Sequence, residues 1–272
     1  MPRGVTRILC PEERTETDSL NELVSRIERR SSNIVSPSLW LELYEDIRRV
    51  MGYSRDGDCY AAKLLSTLLH EAATEARYVE LREVCRLLAS CSTICVTGGS
   101  ESLEKWVHSL GSTCECIVAV DGSTSLLLGY GIKPDIVIGD LDGSWQATLE
   151  AARTAIVVVH GHGDNIAALR YMVPRLPAVH GTVQCEPTPY TSLVPGFTDG
   201  ERALGLALLC GVESIHVYGM NVRERVGWWS KPWLNRSVPA WGEKARKLVI
   251  AEAVFKAFRV YAERNNIRLV WH

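Results

Sequence analysis

The chain reads as an α/β protein: a doubly wound, largely parallel sheet with helices on both faces, preceded by a small helical unit. Three observations carry this. From residue 92 onward, short β-rich runs alternate with helical stretches. The runs are apolar at successive positions, which is the pattern of strands covered on both faces rather than one. Residues 18–88, by contrast, show helical periodicity and no strand signal. At 272 residues the chain can bury one good core and carry a smaller second unit. The boundaries expected are 1–88 for the helical unit and 89–272 for the α/β catalytic part.

In the first third, Leu20, Leu23, Val24 and Ile27 form one stripe, Leu39, Leu41, Leu43, Ile47 and Val50 lie near another, and a third segment spans 57–75. The role expected for this unit is packing against the catalytic part. The strand runs are STICVT (92–97), CIVAV (116–120), IVIG (136–139), AIVVVH (155–160), VHGTVQ (179–184), SIHVYG (214–219) and IRLVW (267–271). Between most of them lie helical stretches at 100–110, 144–153, 164–173, 199–210 and 241–264.

A composition 46% hydrophobic and 23% charged with net charge −2 excludes a disordered chain and offers no basic surface for nucleic acid. The lack of an 18-residue apolar run argues against a membrane span, and the charged N-terminus is unlike a signal peptide; a cytoplasmic protein is expected. Nine cysteines at spacings such as Cys91-xxx-Cys95 and Cys114-x-Cys116 match no zinc ribbon, so most are expected to be buried, reduced thiols. Oligomeric state stays open, a homo-oligomer included.

Polar residues collect just past the strand ends, the edge at which open α/β sheets bind ligands. Asp121-Gly122-Ser123 follows CIVAV. It is either a plain turn capped by Ser123 or a phosphate-side carboxylate with a glycine that admits a close backbone approach. Asp140 and Asp142 follow IVIG. Carboxylates two apart on a turn can face one hard cation that bridges substrate phosphates. A phosphatase nucleophile would need a later acidic pair, and no GDxxxD-like segment follows. HGHGDN (160–165) opens a helix, with His160, His162, Gly163, Asp164 and Asn165 facing phosphate or forming a structural helix start. Lacking a third His or Cys at suitable spacing, it is not a zinc site. In GFTDGERA (196–203), Thr198 or Asp199 caps a helix that has Arg202 in its first turns, while Gly196, Phe197, Thr198 and Asp199 could shape the organic substrate's pocket with Gln184 and Cys185 on the same wall. The segment 227–247 holds four tryptophans with Lys231, Lys244 and Lys247, either as a lid with lysines for a triphosphate or as an indole patch with solvated lysines.

With these residues in hand, the chain resembles the archaeal 6-hydroxymethyl-7,8-dihydropterin diphosphokinase family, itself similar over its catalytic half to thiamin diphosphokinases. The likeness runs in order through DGSTSLLLGYGIKPDIVIGDLDG, VVVHGHGDN, GFTDGERA and VYGMN, over about 120–221. It implies transfer of a diphosphoryl group from ATP to the hydroxymethyl oxygen of a reduced pterin, with release of AMP, in methanopterin- or folate-type coenzyme biosynthesis. It also implies Mg²⁺ held by Asp121, Asp140, Asp142 and Asp164. The nucleotide is expected at Gly98, Gly99, Ser100, Gly122, Ser123, His160, His162, Gly163, Asn165, Lys244 and Lys247. The pterin is expected at Gln184, Gly196 to Asp199, Met220 and Asn221. Two departures from the family pattern stand out: GGSESL (98–103) replaces a GxGPSL turn, and Asn221 stands where an aspartate is common. Three alternatives remain: a thiamin diphosphokinase, a metal-dependent glycosyltransferase using the DxD pair, and a non-catalytic pterin- or nucleotide-binding protein.

Overall fold

The computed structural model describes residues 16–220, 225–231 and 233–272. The N-terminal residues 1–15 and Asn221 lie outside these. The first third is helical as expected: α1 (Glu16–Arg29), α2 (Pro37–Met51), α3 (Arg55–Thr74) and α4 (Leu81–Ala89). Pro37 at the first position of α2 has no amide to leave unpaired, and Gly52 ends that helix at φ +75°.

The catalytic part alternates strands and helices. β1 (Ile94–Thr97) leads through a 3-10 turn to α5 (Val107–Thr113), then come β2 (Cys116–Val120), α6 (Ser123–Gly129), β3 (Ile136–Gly139) and α7 (Trp145–Ala151). β4 (Ile156–Gly161), α8 (Ile166–Met172), β5 (Val179–Val183), β6 (Thr191–Leu193), α9 (Asp199–Leu209) and β7 (Ser214–Tyr218) follow. A two-stranded antiparallel ribbon, β8 (Arg225–Val226) with β9 (Val238–Pro239), precedes α10 (Gly242–Arg264) and β10 (Arg268–Trp271). The main sheet has eight strands in the order β10-β7-β1-β2-β3-β4-β5-β6, and every pairing between neighbours is parallel. All seven expected strands are present, whereas β6 and the ribbon were not anticipated. The order reverses at β1, whose neighbours are β2 on one side and β7 on the other, and such a reversal opens a crevice at the strand ends.

The core has two layers, one on each face of the sheet. α1, α2, α9 and α10 supply one, with Trp40, Leu43 and Ile47 packed alongside Val118, Ile138, Leu204 and Phe258. α3 and α5 to α8 supply the other, with Ala61, Leu65 and Leu69 beside Val137, Val157 and Val159. The N-terminal helices therefore sit on both faces of the sheet. No helix among the described residues is long and apolar enough to cross a membrane.

The cysteines correct the expectation of reduced thiols. Among the described residues, six form three disulfides, Cys85–Cys210, Cys91–Cys116 and Cys95–Cys114, and Cys59 and Cys185 are free; Cys10 lies outside the described residues. Two of the disulfides follow from the register of adjacent parallel strands, while Cys85–Cys210 joins α4 to the end of α9. Cys95 on β1 and Cys114 before β2 face the α3 layer, while Cys91 and Cys116 face the α2 layer, so the strand pair is stapled on both faces.

Candidate functional site

The strand ends bring the expected carboxylates together. Asp121 follows β2 with φ +35°, an uncommon conformation for a residue with a side chain, and its carboxyl group lies over β3. A Cβ on Gly139 would stand 2.5 Å from the Asp121 carboxyl carbon, so only glycine ends β3 without displacing it. Asp140 and Asp142 complete a trio in which one oxygen from each residue lies within 4.8 Å of the others. The amide of Asp142 donates to Asp140 Oδ1 at 3.1 Å, which fixes the turn. Asp121 Oδ2 is buried and has no hydrogen-bond partner. Three hard oxygen donors around a buried, unsatisfied carboxylate oxygen fit a divalent cation such as Mg²⁺.

The electrostatics separate the three. Burial, then the charges of Asp140 and Asp199, push Asp121 well above the usual carboxylate range. Burial would raise Asp140 too, but the hydrogen bond and charge of His162 and the charge of Lys231 hold it below its ordinary value. His162 Nε2 lies 3.2 Å from Asp140 Oδ2, and Lys231 is ion-paired with Asp142. Asp199 is raised to about 6 by burial and by the charge of Asp140.

Asp164 departs from the expectation: it is exposed and stands outside the trio, although it lines the larger of the two cavities described below, while His162 pairs with Asp140. Asn165 and Ser123, expected against the nucleotide, line neither cavity described below and act as braces, and Gly163, which lines the larger one, also braces Asp58. Asn165 is buried, donates to the carbonyls of Asp140 and His160, both at 2.7 Å, and accepts from the His162 amide. The Gly163 amide donates to Asp58 Oδ1 at 3.0 Å, and Ser123 Oγ donates to Thr97 O at 2.9 Å. Gly196 lines neither cavity described below, since its backbone is pressed against that of Arg202. Thr198 caps α9, with its amide donating to Glu201 Oε2 at 3.1 Å.

Two cavities meet at the trio. The larger, of about 300 Å³, is lined by Asp140, His160, His162, Gly163, Asp164, Gln184, Phe197 and Lys247 among the expected residues. The smaller, of about 130 Å³, is lined by Gly98, Gly99, Ser100, Gly122 and Met220, with Leu248 and Phe255 adding apolar wall at the strand-order reversal. Asp142, Thr198, Asp199, Lys231 and Lys244 belong to both and form the wall between them. The tryptophan segment is a strap over the smaller cavity. Trp228 and Trp229 donate from their indole nitrogens to Glu104 Oε1 at 3.1 and 2.7 Å, and Lys231 follows at the dividing wall. A Cβ on Gly122 would lie 1.7 Å from Trp229 O, so the strap rests directly on the Asp121 turn.

Sequence reasoning missed the share of the N-terminal helices. Tyr44, Tyr53 and Asp58 line the larger cavity, and Tyr44 Oη donates to Asp58 Oδ2 at 2.6 Å. Arg202, expected only as a first-turn residue, is fully buried with its guanidinium on Asp199 at 2.7 Å and on the carbonyls of Gly196 and Phe197.

Comparison with known proteins agrees with this geometry. Residues 66–227 match the family model described as 6-hydroxymethylpterin diphosphokinase MptE-like. Three curated archaeal proteins named 6-hydroxymethyl-7,8-dihydropterin pyrophosphokinase are similar over most of the chain. That of Pyrococcus furiosus is 40% identical over 217 residues, covering 80% of this chain and 91% of the relative. That of Methanothermobacter thermautotrophicus is 34% identical, covering 84% and 95%, and that of Methanocaldococcus jannaschii 30%, covering 79% and 92%. A solved MAf glycosyltransferase from Magnetospirillum magneticum aligns with a TM-score of 0.38 at 15% identity, over 50% of this chain and 23% of that one, too remote to inform either fold or chemistry. The family model spans the three carboxylates and, of the dividing wall, Thr198 and Asp199, and the chain belongs to the MptE-like 6-hydroxymethylpterin diphosphokinase family.

Proposed function

We propose that the protein transfers a diphosphoryl group from ATP to the hydroxymethyl oxygen of 6-hydroxymethyl-7,8-dihydropterin, releasing AMP, in the making of methanopterin- or folate-type coenzymes. The observation that carries this reading is the shared wall: carboxylates suited to a hard cation and two lysines stand between two cavities, one for each organic part. Mg²⁺ held by Asp121, Asp140 and Asp142 would supply charge neutralisation on the phosphate oxygens.

The remaining work falls to the chain. Lys231 and Lys244, reached from either cavity, hold the phosphates in line with the acceptor oxygen. The hydroxyl oxygen forms a bond to the β-phosphorus, the bond from that phosphorus to the oxygen bridging the α-phosphate breaks, and AMP leaves with the bridging oxygen. Asp199 accepts the hydroxyl proton: raised to about 6, its carboxylate is ionised at neutral pH yet basic enough to take a proton as the bond forms. Arg202 positions it through the bond to Oδ1. The Trp228–Lys231 strap keeps water from the phosphate side.

The test is an anaerobic assay with Mg²⁺, ATP and the reduced pterin, following AMP and product mass, with thiamin as a parallel acceptor. AMP formed only with the pterin supports the reading. Folded protein that forms no AMP with the pterin refutes it.

A further inference from the structure

Resting on that reading, we infer that the larger cavity holds the acceptor ring and that the N-terminal helices select it, through the Asp58 carboxylate at the start of α3. The smaller cavity then takes the nucleoside. Asp58 is 6% exposed and lines the larger cavity. Each of its oxygens already accepts one hydrogen bond, from Tyr44 Oη and from the Gly163 amide, which fix the plane of the carboxylate and leave further lone pairs. A carboxylate so held recognises a ring edge with two adjacent N–H donors, such as the N3–H and 2-amino group of a 2-amino-4-oxo pyrimidine.

A second, independent observation points to the same kind of ligand. His160 Nε2 and Arg202 Nε are buried in side chains only 1% exposed, line this same cavity and have no hydrogen-bond partner. Arg202 spends its other nitrogens on Asp199 and two carbonyls, and His160 is held through Nδ1 by Thr182 at 3.0 Å. Buried polar atoms left unpaired cost free energy, so Arg202 Nε–H is suited to a ligand acceptor such as a ring carbonyl or ring nitrogen. Thr182 passes its own proton to Val159 O and so takes the one on His160 Nδ1, which leaves His160 Nε2 suited to a ligand N–H. Gln184, at the end of β5, adds a side-chain amide to the same wall. The smaller cavity differs in kind: the backbone of Gly98, Gly99 and Gly219 beside Val226, Leu248 and Phe255 offers peptide groups and apolar surface. Such a surface suits an adenine base read by main-chain hydrogen bonds.

The experiment compares binding of 6-hydroxymethylpterin with that of its 2-oxo counterpart, 6-hydroxymethyllumazine, by ligand fluorescence, alongside a non-hydrolysable ATP analogue by calorimetry. Wild-type protein should favour the pterin. Asp58→Asn turns one acceptor oxygen into a donor, so it should weaken the pterin at least tenfold, reverse or abolish the preference over lumazine, and leave the ATP analogue within twofold. Gln184→Ala, which leaves the Asp58 bonds intact, should also weaken the pterin selectively, by severalfold. An unchanged pterin preference in Asp58→Asn, or equal weakening of pterin and nucleotide in both variants, overturns the assignment while the diphosphokinase reading stands. Wild-type protein that neither binds nor turns over the pterin removes both.

Discussion

The disulfide between Cys85 on α4 and Cys210, the residue that ends α9, closes the longest covalent loop in the fold, with a sequence separation of 125. Removing it with the pair Cys85→Ser and Cys210→Ser should act mainly on the unfolded chain, which regains the freedom the cross-link denied. In the loop-entropy treatment a loop of that length is worth about 5 kcal/mol, against about 3.5 kcal/mol for Cys91–Cys116 and about 3 kcal/mol for Cys95–Cys114, whose separations are 25 and 19. For a chain of this size a loss of about 5 kcal/mol corresponds to a fall in Tm of roughly 10 °C. The assay is guanidinium and thermal unfolding of the three double-serine variants without reductant, after mass spectrometry of alkylated, denatured protein has counted the free thiols. The expected order of losses follows the order of loop lengths. The reasoning fails if all nine cysteines of unreduced protein alkylate, or if losing the 125-residue loop costs under about 1 kcal/mol while the shorter ones cost more.

Asp140→Asn should cut AMP formation by at least a hundredfold and abolish its response to Mg²⁺ with the fold intact; circular dichroism and a Mg²⁺ titration check this, and near-wild-type turnover would remove the metal assignment. Gly122→Ala must lift the strap by roughly 1.5 Å to relieve the contact with Trp229 O, at a cost of about 1–3 kcal/mol. Its tryptophan emission should shift to the red and kcat/KM fall about tenfold, and unchanged emission and kinetics would show that the strap does not rest there. His180 is lowered to about 4 by burial, although its Nδ1 bonds Val79 O at 2.9 Å. The unfolded chain therefore binds more protons between about pH 4 and 6.5, and stability falls as pH drops through that window, by on the order of 3 kcal/mol. His180→Gln should flatten that slope in denaturant titrations, while the opposing contribution of Glu201, raised to about 7 by burial, is common to both proteins and cancels. An identical slope in the variant would disprove the assignment.

The sheet was legible because its strands are continuous apolar runs, and the trio was legible because β2 is followed by an aspartate and β3 by an Asp-x-Asp turn. β6 escaped because TSL is too short to carry a period. The braces escaped for a different reason: Ser123 and Asn165 occupy positions where a ligand contact and a turn-stabilising hydrogen bond demand the same residue types. Asp58 reads as an ordinary acidic residue in the first turn of a helix, where the helix dipole favours it. Only the packing of α3 over the turn after β4 turns it into a wall of the cavity. The disulfides depend on the register of β1 and β2 and on the packing of α4 against α9, which cysteine spacing alone does not encode.

Two chambers that share one wall also constrain traffic. If the proposed assignment of the two cavities holds, AMP and the diphosphorylated acceptor end on opposite sides of Asp142 and Lys231, and neither should have to wait for the other to leave. On the proposed reading, release in either order from a ternary complex, with no phosphoryl-protein stage, is the expected kinetic scheme. AMP should compete with ATP but not with the pterin, and labelled AMP should not exchange into ATP unless the pterin product is also present.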